Sequence, residues 1–324
     1  MKIAVVIPTY NRADMVCEAV DSALGQTARG QVIVVDDGST DDTLARLSAY
    51  GDAITVVAQE NAERGAARNA GAALAADADL LLFLDADDVI GPGHLEALAR
   101  LAEAHPEATL VATPSLLVDR DLKPFQNYGQ SRSGPVTLES FLMGRESLPL
   151  PATAVRREVF DSLGGFSERR DLSGSEDWLL MAHALTHAPG HRGGEPTAFI
   201  RRHEGNTMAN AGSMRESMLL AHRLFFDDVW PHVEGRPEAR GLSPGIRESS
   251  KAHLLINAAT GFYGIGEMRA ARSTLWEALR TDPRVLTSSM LHWTWMRSLL
   301  GGRLSSALRA WKRRCGLPSV AHDD

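Results

Sequence analysis

The sequence predicts an α/β protein: a doubly wound, mostly parallel sheet followed by a helical C-terminal extension. Three observations carry this. Short β-branched runs alternate with helical segments of 10–15 residues through the first hundred positions, the pattern of repeated strand–helix–strand units. Leu80-Leu81-Leu82-Phe83-Leu84 is a continuous apolar run, which suits a strand buried on both faces. A polar cluster follows three of the strands, at Thr9–Arg12, Asp36–Asp41 and Asp85–Asp88. Right-handed crossovers place parallel strand ends on one side of a sheet, so these clusters, distant in sequence, converge in space.

Taken in order, Lys2 to Ile7 reads as the first strand, stopped by Pro8, which cannot donate to a ladder. Asn11 can cap the segment Ala13 to Leu24, which has apolar residues at helical spacing. Gln31 to Val35 is the second strand. Gly38 then permits a tight turn, and Ser39 or Thr40 can cap a helix carrying Leu44 and Leu47. Ala53 to Ala58 is a third strand, and Asn61 to Ala76 an alanine-rich helix with Arg64 and Arg68 one turn apart. The fourth strand is Leu80 to Leu84, and Pro92 opens a helix reaching about Ala104. Ala108 to Asp119 reads as one strand with a break at Pro114. Asp121 to Pro135 reads as a mobile loop near the site. Ala152–Val155 and Ala198–Arg202 are short strands, and a helix follows Trp178. Ser213 to Trp230 is helical, Glu234 to Ser249 looks like a linker, and Lys251 to Arg280 gives two helices around Tyr263-Gly264-Ile265-Gly266. The expected division is residues 1–212 as the main domain and 213–324 as a helical region.

Composition narrows the chemistry. The 324 residues are 44% hydrophobic and 23% charged, with a formal net charge of -7, which argues against nucleic-acid binding. Cys17 and Cys315 cannot form a disulfide framework, and no zinc spacing occurs. The first apolar run is too short for a signal peptide, and no run of about 18 apolar residues spans a bilayer. A cytoplasmic setting is the expectation. The end of the chain differs in charge: from Pro283 to His322 there is no Asp or Glu, while seven arginines and lysines lie inside.

Three carboxylates at the end of one strand repel one another unless a cation neutralises them, and oxygen ligands suit a hard divalent ion such as Mg or Mn. An acidic turn is the plain alternative. Neither a dinucleotide Gly-x-Gly-x-x-Gly nor a P-loop follows the first strand. A carboxylate after the second strand can accept hydrogen bonds from a base or from ribose hydroxyls, and a metal on the fourth-strand acids can neutralise a diphosphate. Base, ribose and diphosphate together describe a nucleoside diphosphate compound.

Pro8-Thr9-Tyr10-Asn11-Arg12, Val35-Asp36-Asp37-Gly38-Ser39-Thr40-Asp41, Arg64-Gly65-Ala66-Ala67-Arg68-Asn69-Ala70-Gly71 and Phe83-Leu84-Asp85-Ala86-Asp87-Asp88 resemble, in order, the motifs of family 2 glycosyltransferases of the GT-A fold. The resemblance covers roughly residues 1 to 210. It implies a Rossmann-like GT-A domain and transfer of a sugar from a nucleotide sugar with inversion. It also implies that Pro8, Thr9, Tyr10, Arg12, Asp36 or Asp37, Arg64, Arg68, Asp85 and Ala86 contact the donor. A solvated helix arginine is an equally good reading of Arg68. Asp85 and Asp87 match the family's Asp-x-Asp, with Asp87 closest to the metal and Asp85 near ribose or sugar hydroxyls. Asp88 could contact either.

Further on, Leu163-Gly164-Gly165-Phe166 and Gly174-Ser175-Glu176-Asp177-Trp178 resemble the family's acceptor-side motif. Glu176 and Asp177 fall in the first turn of a helix, where carboxylates also serve simply as favourable caps. The resemblance makes Asp177 the general base, with Glu176 the competing candidate. His203, after Arg201-Arg202, matches the position that adds an imidazole to the metal, and imidazole suits Mn better than Mg. The Gln-x-x-Arg-Trp motif of processive, membrane-embedded synthases is absent.

The expected activity is therefore metal-assisted glycosyl transfer from a UDP-sugar to an acceptor hydroxyl. A nucleotidyltransferase of related fold and a nucleotide-sugar-binding scaffold are the alternatives. The segment from Ala271 to Asp282-Pro283 resembles one tetratricopeptide-type hairpin, which must pack on the main domain or on a second subunit, so a homodimer is one expectation. Met290 to Arg314 is aromatic, aliphatic and basic. It can lie on the inner face of an anionic membrane or dock on protein.

Overall fold

The computed structural model describes residues 1–28, 30–128, 132–203, 211–242, 245–296 and 298. Among the described residues twelve strands form two sheets: β1 Ile3–Thr9, β2 Gln31–Asp36, β3 Thr55–Ala58, β4 Leu80–Phe83, β5 Val89–Ile90, β6 Leu110–Ala112, β7 Ser115–Val118, β8 Pro124–Tyr128, β9 Gly134–Val136, β10 Thr153–Arg156, β11 Gly190–Arg192 and β12 Ala198–Arg201. The larger sheet has the order β3-β2-β1-β4-β10-β6-β11-β9, and the smaller one β5-β12-β7-β8. The β3-β2-β1-β4 half is parallel throughout. Its order reverses between β1 and β4, a topological switch point of the kind where such sheets bind ligands.

The apolar runs explain this half. All seven residues of β1 and all four of β4 are buried. Helices cover both faces, so neither strand shows polar alternation. Helix α1, Val16–Leu24, sends Val16, Ala19, Val20 and Ala23 into the core beside Val5 and Ile7. After the short α2, Thr43–Leu47, comes α3, Glu63–Ala73, on the opposite face with Val6 and Val35. Helix α4, His94–Ala104, returns to the α1 side through Leu95, Leu98 and Ala102.

Three expectations need correction. The predicted strand over 108–119 is two strands: Pro114 ends the pairing of β6, and β7 enters the smaller sheet. The predicted loop over 121–135 contains β8, which pairs antiparallel with β7, and β9, at the edge of the larger sheet. Alternation in Phe125-Gln126-Asn127-Tyr128 was too polar to signal a strand, because this edge ribbon faces water on most of its length. The predicted linker over 234–249 carries a short helix, Pro237–Arg240, and the first turn of another beginning at Ile246.

The remaining helices are α5 Leu138–Leu142, α6 Arg157–Ser162, α7 Glu176–Ala184, α8 Ala211–Leu224, α9 Trp230–Val233, α10 Pro237–Arg240, α11 Ile246–Gly264 and α12 Met268–Thr281. The hairpin expected around Tyr263–Gly266 is present: Gly266 takes φ +86, and α11 and α12 share a core of Ala252, Leu255, Ile256, Ala259, Leu275 and Ala278. The main core does not stop at residue 212. It continues through Phe225, Phe226 and Ala239 to Ile246, so the chain from Phe225 through α9 and α10 belongs to it, while Leu219 of α8 packs on the α11–α12 core. Most of the basic tail, from 299 onward, lies outside the described residues.

Candidate active site

The carboxyl ends of β1, β2 and β4 open into a cleft of about 620 Å³. One wall is made of Pro8, Thr9, Tyr10, Arg12, Asp37, Arg64, Arg68 and Asp85–Asp88, and Glu176 and Asp177 lie on the same cleft. One wall thus gathers most of the residues expected to bind a donor.

The loops are held by side chains rather than by sheet pairing. Asn11 takes φ 50, its N–H donates to Ser39 Oγ at 2.9 Å, and its Oδ1 accepts from Thr40 N at 2.8 Å. Asp37 Oδ1 accepts from Gln59 Nε2 at 2.8 Å and Ala62 N at 2.9 Å, which fixes the entry to α3. There Glu63 takes φ 73, a left-handed conformation costing about 1–2 kcal/mol for a side chain of its kind. Arg170 secures this turn, donating to Asn61 O at 2.5 Å and to Glu63 Oε1 at 3.2 Å.

Asp36 and Asp37 have different places. Asp36 is 1% exposed and not on the cleft wall; its Oδ2 accepts from Ser39 N at 3.1 Å. Of the pair, Asp37 reaches the cleft. Asp36 Oδ1 and the neighbouring Thr9 Oγ1 are buried without a hydrogen-bond partner, side by side in the β1–β2 register. A buried polar atom left without a partner costs about 1–3 kcal/mol.

Arg68 is not a solvated helix arginine. It is 1% exposed and donates to Asp85 Oδ1 at 2.6 Å and to Glu176 Oε1 at 2.5 Å, with its guanidinium 5.3 Å from the Phe166 ring centroid. The rest of the helix motif explains how it is seated. Asn69 pairs with the backbone of Phe166 in both directions at 2.9 Å. A Cβ at Gly65 would lie 2.3 Å from Ser167 O, and one at Gly71 2.4 Å from a Val6 methyl. The spacing Arg64–Gly71 therefore lets α3 lie directly against the Gly-Gly-Phe segment and β1.

Glu176 is tied at both oxygens, since Oε2 accepts from Gly174 N at 2.6 Å. Asp177, one residue on, accepts from its neighbour Trp178 N at 2.7 Å and faces the cleft. Burial, and next the Glu176 carboxylate, push its carboxyl up to about 7, against the opposing pull of Arg68. A carboxylate tuned near neutrality is suited to proton transfer at physiological pH.

On the other side, His203 Nε2 lies 2.9 Å from Asp87 Oδ2. Asp88 explains that meeting. Its Oδ1 accepts from Arg201 N at 2.8 Å, stapling the end of β12 to the acidic turn, and His203 follows two residues later. Burial, then the charges of Asp87 and Asp85, hold the Asp88 carboxyl well above the usual range. Carboxylate repulsion and an adjacent imidazole suit a divalent cation. Asp85, the other acid of the Asp-x-Asp pair and the further metal ligand that the resemblance implies, accepts from Arg68 through Oδ1. Among the described residues no three His, Cys, Asp or Glu side chains converge as a ligand set, so Asp87 and His203 are the pair that fits.

The far wall was not legible as a site. Tyr128, Met214, Met218, His253, Leu254, Asn257 and Ala258 all line the cleft. Met214 and Met218 read in sequence as an ordinary helical stripe. Here α8 is bolted to the start of α7, with Ser175 Oγ 2.8 Å from Ser217 Oγ and hydrogen-bonded to Met214 Sδ at 3.9 Å.

Comparison with known proteins gives likenesses in sequence and in fold. Residues 4–163 match the family model described as Glycosyl transferase family 2. The succinoglycan biosynthesis protein ExoU of Rhizobium meliloti is 29% identical over 232 residues, 64% of each chain. An uncharacterized glycosyltransferase of Haemophilus influenzae is 28% identical over 190 residues, 55% of this chain and 60% of that one. Among curated relatives, the match spans 33% of an uncharacterized Nostoc glycosyltransferase that is 41% identical over 106 residues. In fold, the chain is similar to S. aureus TarS 1-349 in complex with UDP-GlcNAc, with TM-score 0.64 and 20% identity, covering 98% of this chain and 93% of that one. It is also similar to the mannosyltransferase PcManGT from Pyrobaculum calidifontis in complex with GDP-Man and Mn2+, with TM-score 0.54, 17% identity and coverage of 96% and 87%. Residues 4–163 thus form a glycosyltransferase family 2 sequence, in a chain folded in the GT-A manner.

Proposed function

We propose that this chain moves a sugar from a nucleoside diphosphate sugar, a UDP-sugar in the first instance, to an acceptor hydroxyl with inversion. The observation that supports it most is the presence on one cleft of Asp87, paired with His203 at 2.9 Å, and of Asp177. Thr9, Tyr10, Arg12, Asp37 and Arg64 receive the base and ribose. Asp36 supports their loop from behind. Asp87 and His203 hold a divalent ion, Mn2+ or Mg2+, which when bound offsets charge on the departing diphosphate. Arg68 orients Asp85 toward the sugar and keeps Glu176 from competing for the acceptor. Asp177 takes the acceptor's proton as its oxygen bonds to the anomeric carbon; the bond from that carbon to the phosphate oxygen breaks, and the nucleoside diphosphate leaves with the electron pair. One displacement from the opposite face inverts the anomeric centre and needs no covalent enzyme intermediate.

The relatives support this reading. One structural neighbour is described in complex with UDP-GlcNAc and another with GDP-Man and Mn2+, and ExoU is described as a succinoglycan biosynthesis protein. Proton NMR of the product sugar, taken before mutarotation, tests the stereochemistry: inversion is expected, and retention of the donor's anomeric configuration overturns the mechanism. No helix among the described residues is long and apolar enough to cross a membrane. Peripheral contact through the basic tail and homodimerisation through α11 and α12 remain part of the proposal. Pelleting with anionic liposomes and light scattering test them, and absence of pelleting or a strict monomer at high concentration removes each.

A further inference from the structure

The cleft changes character along its length. At the donor end it is lined by charged side chains on α3 and on the β4 turn. Beyond Asp177 it is enclosed by Leu148, Leu150, Met214, Met218, Leu254 and Ala258. These residues come from the segment before β10, from α8 and from α11. Leu148, Leu150, Leu254 and Ala258 are each less than a tenth exposed, so the wall is packed rather than a loose surface. Its carboxylate, Glu146, is held by Arg192. His253 and Asn257 supply polar edges, and His253 is bonded to the Ser249 carbonyl at 2.8 Å.

This apolar section is continuous with the base. Met214 touches Ser175, two residues before Asp177, and Ser217 of the same helix is bonded to Ser175. A hydroxyl that reaches Asp177 from the side opposite the donor carboxylates must lie along α8 and α11. With its polar groups at the edges, this wall would replace fewer of the water contacts that an anionic or fully hydroxylated group loses, whereas an apolar group fills it favourably.

We propose that the acceptor carries an apolar group beside the hydroxyl that reacts, and that α8 and α11 form the subsite for that group. This rests on the glycosyltransferase reading above. The site takes an alkyl or prenyl-like chain or an aromatic aglycone, and it discriminates against free sugars.

The test is isothermal titration of the full chain, with UDP and Mn present, using octyl β-glucoside below its micelle concentration and methyl β-glucoside as probes. The nucleotide titration that precedes them, with UDP first and then GDP and dTDP, reports on the functional reading by itself: binding of none of the three removes that reading. With UDP bound, the octyl probe is expected to bind at least tenfold more tightly than the methyl probe. Leu254→Glu and Met218→Glu, on two different helices and checked for folding by circular dichroism, are expected to abolish the difference. Equal affinity of the two probes, or an octyl preference that persists in the folded variants, overturns the proposal.

Discussion

Replacing Asp177 by Asn tests the base through stability as well as rate. The carboxyl is raised from 3.8 to about 7, a shift of about 3 units, or about 4 kcal/mol at 1.36 kcal/mol per unit. Asp177 is only partly buried and opens on the cleft, so solvent screening reduces this to about 1–2 kcal/mol. The sign follows from linkage. Below pH 4 both folded and unfolded states carry the proton, and the carboxyl adds nothing. Between pH 4 and 7 the unfolded chain ionises while the folded one does not, so stability falls as pH rises. Above 7 both are ionised and the penalty is constant. Asn carries no such penalty. Urea denaturation at pH 4.5 and pH 8.5 should show the variant gaining about 1–2 kcal/mol relative to the parent at the higher pH and little at the lower. Transfer should fall by roughly 10²–10⁴-fold, the usual contribution of a positioned base. A variant whose gain over the parent is no larger at pH 8.5 than at pH 4.5, or one with full turnover, would refute the assignment.

The other expectations follow from neighbouring contacts. The parent's kcat/KM should climb through pH 7 and level off above it, as the Asp177 carboxyl loses its proton; a profile flat from pH 6 to 8 speaks against that base. Arg68→Met leaves Glu176, 3% exposed, without its cation; a cost of about 3–5 kcal/mol is expected in urea melts, and unchanged stability would show the ion pair to be dispensable. Gly65→Ala places a methyl against Ser167 O and should cost about 1–3 kcal/mol, read as a lowered midpoint. His203→Ala should raise the Mn concentration for half-maximal activity by at least the roughly 10- to 100-fold seen when even an outer-shell partner is lost; an unshifted requirement removes His203 from the metal.

Much of the catalytic half was legible because its strands are written in one physical pattern. Apolar runs such as Ile3–Ile7 and Leu80–Leu84 must be buried on both faces, and the polar clusters that follow them must then meet beyond the carboxyl ends of the strands. The Asp87–His203 pairing was legible only through resemblance, since 116 residues separate the two. It is realised by the bond from Arg201 N to Asp88, which no spacing rule reveals. Glu176, Asp177 and His203 also lie past residue 163, outside the span of the matching family model. Arg68 was ambiguous because an arginine on an alanine-rich helix looks the same whether it meets water or two carboxylates. Asp36 and Asp37 could not be separated, as adjacent residues point to opposite sides at a strand's end, and only the sheet register decides which reaches the cleft. The α8–α11 wall stayed hidden for a different reason: apolar residues that line a substrate cleft and those that fill a core carry the same helical periodicity.

The central claim is a metal-dependent nucleotide-sugar site, and release of nucleoside diphosphate tests it most directly. UDP-, GDP- and dTDP-sugars are incubated with the full chain in Mn and again in chelator, with Asp87→Ala alongside. The account requires turnover of at least one donor in Mn, a UDP-sugar first, with loss of that turnover in chelator and in the variant. Turnover that survives both, or none of the donors cleaved in Mn, would contradict it.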